Sequence, residues 1–353
     1  MNTKILFLSG REVNYIRNRV LSNALKINFD VTVSNNSEKN IVFRSLNGIY
    51  EAILNNPHYD IIFAGFYGQL IALALSKFQT KPIILDAYVS TYETLCEDRK
   101  LFRGKSFLGR LFFLLDKISI SNSRIVLTDT IANMEYLAKV FNISRDKFRV
   151  IYVGCDEDLF FPRTSNDNYS SRCEVFYYGS FLPLQGIDII IQAANLLKSH
   201  NDIHFTIGGY GLDFNSILDI AKKFKLDNID FVGWIPFDKL PIYIAKSDIC
   251  LGGHFSTIPK ARRVISTKTY QFIAMRKPTI VGDNIATREL FINKEHVYAV
   301  EMGNPYALAN AIEELSKDQK LKDYIAENGY LFFKERLTIK SIAADIFMLI
   351  KSI

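Results

Sequence analysis

The chain has 353 residues, 48% of them hydrophobic and 23% charged, with a net charge of +6. That length suffices for two domains with a core each, and the composition excludes a disordered or collagen-like chain. Cys96, Cys155, Cys173 and Cys250 lie far apart with no CxxC, which argues against a disulfide framework or thiolate zinc site and fits a reducing, cytoplasmic setting. The opening MNTKILFLSG has too short an apolar run for a secretory signal. The most apolar window, Ile61–Ser76, is broken by Gly65, Gly68 and Gln69 and reads as a strand followed by a helix.

Short apolar strands are expected at Lys4–Ser9, Asp30–Ser34, Asn40–Phe43, Tyr59–Ala64, Pro82–Asp86, Arg124–Asp129 and Phe148–Val153. Helices are expected near Arg11–Lys26, Arg44–Asn55, Phe66–Lys77 and Thr130–Phe141. Strands alternating with helices over about 150 residues mean a doubly wound parallel sheet. The loop Asp86–Arg99 follows a strand's carboxyl end, where loops carry function. Its Asp86, Tyr88, Glu93, Glu97, Asp98 and Arg99 are polar groups able to bind the hydroxyls of a sugar-like acceptor.

Residues 99–123 combine Lys100, Arg103, Lys105, Arg110 and Lys117 with a run of Phe and Leu. Two readings stay open: a basic amphipathic helix in a membrane interface, and a helix whose broad apolar face packs on the sheet. Residues 1–165 carry 21 Lys and Arg against 16 Asp and Glu, the remainder 22 against 21. This excess toward the first half favours an anionic surface and is too sparse for a nucleic-acid stripe.

The segment Val153–Pro162, VGCDEDLFFP, precedes the linker-like RTSNDNYSS. The expected domains are 1–165 and 172–337, with the helix 338–353 packing back on the first. In the second half, strands are expected at Glu174–Gly179, Ile203–Ile207, Ile229–Gly233 and Asp248–Leu251, and again at PTIVGD. Helices alternate with them at Ile187–Lys198, Leu212–Phe224 and Pro236–Lys246, and Glu301–Leu315, Lys320–Asn328 and Thr338–Ile350 finish the chain. This is a second doubly wound sheet. Gly209 belongs to a GGxG turn that lacks the full dinucleotide pattern but lets backbone approach a ligand. The stretch Gly252–Asp283 gathers Lys260, Arg262, Arg263, Lys268 and Arg276 after a strand end, which reads either as a phosphate site or as a basic surface helix.

Together VGCDEDLFFP, YYGSFLPLQGIDIIIQAANLL, FTIGGYG, FVGWIPFDKLPIYIAKSDICLG and KTYQFIAMRKPTIVGD resemble, in order and spacing, the family-four glycosyltransferases. The resemblance implies a GT-B architecture: two doubly wound Rossmann-like domains facing a cleft, the second binding a nucleotide sugar. It implies that Gly179, Ser180 and Phe181 lie against the donor diphosphate. It places Val232, Trp234 and Ile235 at the nucleobase and Gln271 where the family has a ribose-binding glutamate. The chain departs from the family at Ser180 and Gln185, where Arg and Lys are usual, and at Arg263 and Gln271, where a pair of glutamates is usual. Lys260, Arg263 and Lys268 are the available replacements for the missing cations.

The expected function is retaining transfer of a sugar from a UDP- or GDP-linked donor to a hydroxyl of a glycan or lipid-linked saccharide. No metal and no resident cofactor are expected. Arg263, Lys268 and Asp86 are the candidate catalytic residues, and His254 a candidate beside the cleft. Peripheral membrane contact through 99–123, on the cytoplasmic face, goes with a lipid-linked acceptor. The alternatives are a non-catalytic GT-B scaffold that has lost its carboxylates, and a nucleotide-sugar epimerase of the same architecture.

Overall fold

A computed structural model describes residues 3–34, 38–54, 58–78, 80–163 and 172–352. The chain divides into two compact units, residues 1–153 with 339–353, and residues 154–338.

In the first unit, β1 (Lys4–Leu8), β2 (Asp30–Val33), β3 (Ile61–Ala64), β4 (Ile83–Asp86), β5 (Ile125–Thr128) and β6 (Phe148–Val150) form one parallel sheet in the order β2-β1-β3-β4-β5-β6. Between them run α1 (Ile16–Asn28), α2 (Ile41–Leu54), α3 (Gln69–Phe78), α4 (Phe107–Asn122) and α5 (Ile131–Phe141). Strand side chains alternate between the two faces. Ile5, Phe7, Phe63 and Leu127 pack under α1, while Leu6, Leu8, Ile62 and Val126 pack under the helices of the other face. Burial on both faces explains why these strands read as continuous apolar runs. Ser106 caps α4 by accepting from Gly109 N at 3.2 Å, and Thr130 caps α5 by accepting from Asn133 N at 3.0 Å.

In the second unit, β7 (Cys173–Ser180), β8 (Ile203–Tyr210), β9 (Ile229–Gly233), β10 (Ile249–Gly253), β11 (Thr279–Gly282) and β12 (Tyr298–Val300) make a parallel sheet in the order β12-β11-β10-β7-β8-β9. The helices are α6 (Ile187–Leu196), α7 (Phe214–Phe224), α8 (Leu240–Lys246), α9 (Thr267–Ala274), α10 (Ile285–Leu290), α11 (Pro305–Lys317) and α12 (Gln319–Arg336). The chain then returns to the first unit. There α13 (Ile339–Lys351) lays Ile342, Ile346 and Ile350 into the core beneath α1.

Four elements differ from the sequence reading. The strand expected at Asn40–Phe43 is the start of α2, because Asn40 Oδ1 accepts from Val42 N at 2.9 Å and so begins a helix. β12 and α10 were not expected; both are short, below the length at which periodicity shows. Gly154–Pro162, expected to close the first domain, packs within the second unit: Cys155 N donates to Leu337 O at 3.3 Å, and Phe160 meets Phe237 edge-on at 5.4 Å. Of the linker expected over 163–171, residues 164–171 lie outside the described residues.

Candidate functional site

In the second unit glycines face each other near the carboxyl ends of β7 and β8, one residue before Ser180 and Tyr210. Gly179 pairs in register with Gly209. Gly209 has φ +133°, and a β-carbon there would lie 1.9 Å from the Gly179 carbonyl oxygen. Only glycine fits there; Gly209 is buried, and Gly179 beside it is partly exposed. A β-carbon on neighbouring Gly208 would strike the Ile235 side chain, which is itself buried. Ser180 is exposed at the strand tip. Phe181, expected against the donor, turns its ring into the core instead, edge-on to Phe214 at 5.2 Å. Val232 in β9 is 38% exposed, and Trp234 just after the strand is 71% exposed.

The turn Pro183–Gln185 after β7 is fixed to the segment after β10. Phe255 N donates to Gln185 O at 3.1 Å and Ser256 Oγ to Leu184 O at 2.7 Å. Gly186, with φ +70°, lies so close to Ser256 N that a β-carbon would be 2.4 Å away.

α9 supplies the site's charge. Lys268 and Gln271, three residues apart, share one face. Lys268 is only 4% exposed. Its Nζ donates to Gln185 Oε1 at 2.7 Å, stands 4.9 Å from the centre of the Tyr177 ring, and would lie 3.3 Å from a β-carbon on Gly179. No carboxylate is paired with it among the described residues. Burial alone pulls its pKa down to about 7. Gln271 is fully buried; its Oε1 accepts from the Tyr178 hydroxyl, and its Nε2 has no hydrogen-bond partner among the described residues.

His254, after β10, is buried. Burial first, then the charges of Lys268 and Lys260, hold its pKa at about 3, so the ring is neutral at any physiological pH. Its Nδ1 is buried with no hydrogen-bond partner among the described residues. Buried polar groups are rarely left so. A buried ammonium, an unsatisfied amide and an unsatisfied imidazole beside open backbone form a cradle for a polar, anionic ligand. Arg263 follows the neighbouring turn Pro259–Arg262. It is half-buried, and its Nη1 donates back to Pro259 O of its own turn at 3.3 Å. Lys260 lies on that turn, near enough for His254 to feel its charge, while Arg262 is exposed. Asn284 anchors the turn, its Nδ2 donating to Ala261 O at 3.2 Å.

The first unit corrects another expectation. Asp86 is no free cleft carboxylate; it is 0% exposed and ion-paired with equally buried Arg17 at 3.0 Å. Tyr88 lies over that guanidinium at 5.7 Å. Glu93 is buried at the head of the short π-helical turn Glu93–Asp98; Asp98 is half-buried and Arg99 exposed at its end. Asp116 of α4 ties this loop down, accepting from Ser90 Oγ at 2.6 Å and Tyr92 N at 2.8 Å.

Sequence reasoning did not single out Tyr177, Tyr178 or Arg17. The doubled tyrosine before Gly179 was the available signal for the first two. Nothing marked Arg17, which reads as one more charge on an amphipathic helix.

Residues 163–332 match the family described as Glycosyl transferases group 1. An uncharacterized glycosyltransferase of Methanocaldococcus jannaschii is 24% identical over 243 residues, covering 69% of this chain and 63% of its own length. The O-antigen chain mannosyltransferase of Salmonella typhimurium is 20% identical over 225 residues, covering 63% and 59%. Over residues 163–332 the chain is similar to the group 1 glycosyltransferases. The chain thus spans about three-fifths of the length of these relatives. Among solved structures, Anabaena HepE in complex with UDP and glucose superposes with a TM-score of 0.77 at 16% identity, covering 100% of both chains. Sucrose-phosphate synthase from Thermosynechococcus elongatus gives 0.79 at 14% identity, covering 100% of this chain and 99% of its own. The chain thus has the GT-B fold, two Rossmann-like units in one chain.

Proposed function

We propose that this glycosyltransferase moves a sugar, with retention of configuration, from a UDP- or GDP-linked donor to a hydroxyl of a glycan or lipid-linked saccharide. The observation that carries the reading is Lys268: a buried ammonium with neutral partners, over the open backbone of Gly179. An uncompensated buried charge is costly, and a donor diphosphate arriving there would supply the missing anion. Lys268, with Lys260 nearby, then stabilises the charge that grows on the departing diphosphate. Side chains would do this without a metal. Gln271 Nε2 and His254 Nδ1 are free to take hydroxyls or phosphate oxygens, with neutral His254 as a hydrogen-bond partner rather than a cation. Exposed Trp234 and the backbone of Val232–Ile235 suit a nucleobase. The UDP bound to HepE, a protein of the same fold, supports a uridine donor.

In the first unit the acceptor would meet the Tyr88–Arg99 loop. Peripheral contact with an anionic membrane through 99–123 is part of the same reading. Phe107 is 82% exposed, and Leu108, Leu111 and Leu114 are exposed beside Arg103, Lys105 and Arg110. No helix among the described residues is long and apolar enough to cross a membrane.

The test is thermal: UDP, GDP and their sugars are added singly, with and without EDTA, and melting is followed. A shift with one nucleotide family, unchanged by EDTA, followed by donor hydrolysis with the α- or β-configuration kept, supports the reading. No shift with any nucleotide favours a scaffold, and interconversion of donor sugars without transfer favours an epimerase.

A further inference from the structure

Gln185 carries a polar side chain into the middle of the cationic cradle, and its surroundings fix how that side chain works. Its backbone is held from two sides, by Phe255 N on its carbonyl and by the Ser256–Leu184 bond one residue back. Its Oε1 accepts from Lys268 Nζ at 2.7 Å and from the Tyr177 hydroxyl at 3.2 Å. Tyr177 is fully buried, so its phenol keeps its proton and donates. Two donors converging on one atom leave a single amide orientation, oxygen toward Lys268. The ammonium is therefore pinned by an acceptor that carries no charge.

Resting on the donor-site reading above, we infer that Gln185 is the positioning residue of the diphosphate site: it aims the Lys268 ammonium at Gly179 while leaving its charge uncompensated for the incoming anion. A carboxylate of the same length would hold Lys268 equally well and cancel it. An aliphatic side chain of the same size would leave the charge intact and let the four-carbon stem swing. The groups facing Lys268 are Gln185 and Tyr177 from the β7 side and His254 from the segment after β10, which also feels the charge of Lys260 on the turn Pro259–Arg262. None of them is a carboxylate, so the charge that a glutamate at 185 would bring has no rival.

The experiment measures binding of UDP and GDP to the full chain, wild type against Gln185→Glu and Gln185→Leu, from pH 5.5 to 9. Wild type should bind one diphosphate with an affinity that declines as pH rises through the Lys268 titration. Gln185→Glu should bind roughly 10–100-fold more weakly at pH 7, since a bound anion must now displace a formed ion pair. Its alkaline decline should begin at least about one pH unit higher, because a neighbouring carboxylate raises the lysine pKa. Its melting temperature without nucleotide should rise, which separates lost binding from lost folding. Gln185→Leu should bind roughly 3–10-fold more weakly, with no upward move of the decline. A Gln185→Glu protein that binds as wild type does, with the decline unmoved, overturns the inference and leaves the donor site standing. A wild-type protein that binds neither diphosphate overturns the donor reading and this inference with it.

Discussion

Arg17 and Asp86 form an ion pair with no exposure on either side chain. The guanidinium Nε reaches both carboxylate oxygens, at 3.3 and 3.2 Å, and Nη2 reaches Oδ1 at 3.0 Å. The remaining Nη1 donates to Ile151 O at 2.6 Å and Tyr152 O at 3.2 Å, so Arg17 ties the end of β4 to the chain leaving β6. Removing one partner of such a pair strands the other. Asp86→Ala should therefore cost roughly 3–5 kcal/mol of stability, read by urea unfolding at pH 7. An Asp86→Ala protein of wild-type stability that has lost only turnover would restore this carboxylate to the chemistry.

Asp129, at the carboxyl end of β5, is the second buried carboxyl of that region. Burial raises its pKa to about 7, against the pull of its bond from Asn133 and the charge of Arg17. An acid whose folded pKa is raised holds a proton that the unfolded chain releases. The stability it contributes is complete below about pH 4 and is lost as pH rises through 7. Asp129→Asn should thus stabilise the protein by on the order of 2–4 kcal/mol above pH 7, at about 1.4 kcal/mol per pKa unit. The gain should vanish by pH 4. Unfolding curves at pH 4, 6 and 8 check it, and a constant difference across that range contradicts it.

Lys268 shows the opposite sign. Its folded pKa of about 7 is below that of an exposed lysine, so the ligand-free fold gains stability as pH rises above 7, where the native state has shed a proton that the unfolded chain keeps. A bound diphosphate holds the proton on. Donor affinity should be flat below about pH 7 and weaken toward tenfold per unit above it. Lys268→Met should remove binding, by roughly 100-fold or more, and raise the ligand-free melting temperature at pH 7 by a few degrees, at roughly 2–4 °C per kcal/mol. Calorimetric titration with UDP or GDP and a melting curve check both halves. A methionine variant that binds normally would remove Lys268 from the site.

Much of this architecture was legible because both sheets are parallel and covered on both faces. Runs such as Lys4–Leu8 and Ile249–Gly253 admit few other readings. Gly179 and Gly209 could be picked out because a close backbone approach leaves a compositional trace. Lys268 was one of six lysines and arginines in its stretch; only burial separates it from exposed Arg262 and Arg276. Asp86 misled for the same reason. A strand-end carboxylate looks the same in sequence whether it faces solvent or a buried arginine 69 positions away.

The exposed stripe of α4 yields the last prediction. Phe107, Leu111 and Leu114 recur at helical spacing and face outward, while Phe113 turns inward against Phe141 at 5.1 Å. One side of the helix thus packs inward, as one sequence reading expects, and the other stays apolar in solvent, the face that a membrane interface would use. Arg99–Leu115 contains no acidic residue, so an anionic bilayer suits it better than a second copy, which would set the same cations against themselves. Flotation with vesicles containing phosphatidylglycerol should carry the wild-type chain upward, and vesicles of phosphatidylcholine alone should not. Phe107→Asp with Leu111→Asp should abolish flotation at unchanged melting temperature, since both positions are exposed. Arg103→Gln with Arg110→Gln should weaken it by about 1 kcal/mol per charge near the surface. Equal recovery with both vesicle types, or an unaffected double aspartate variant, would assign this face to something other than lipid.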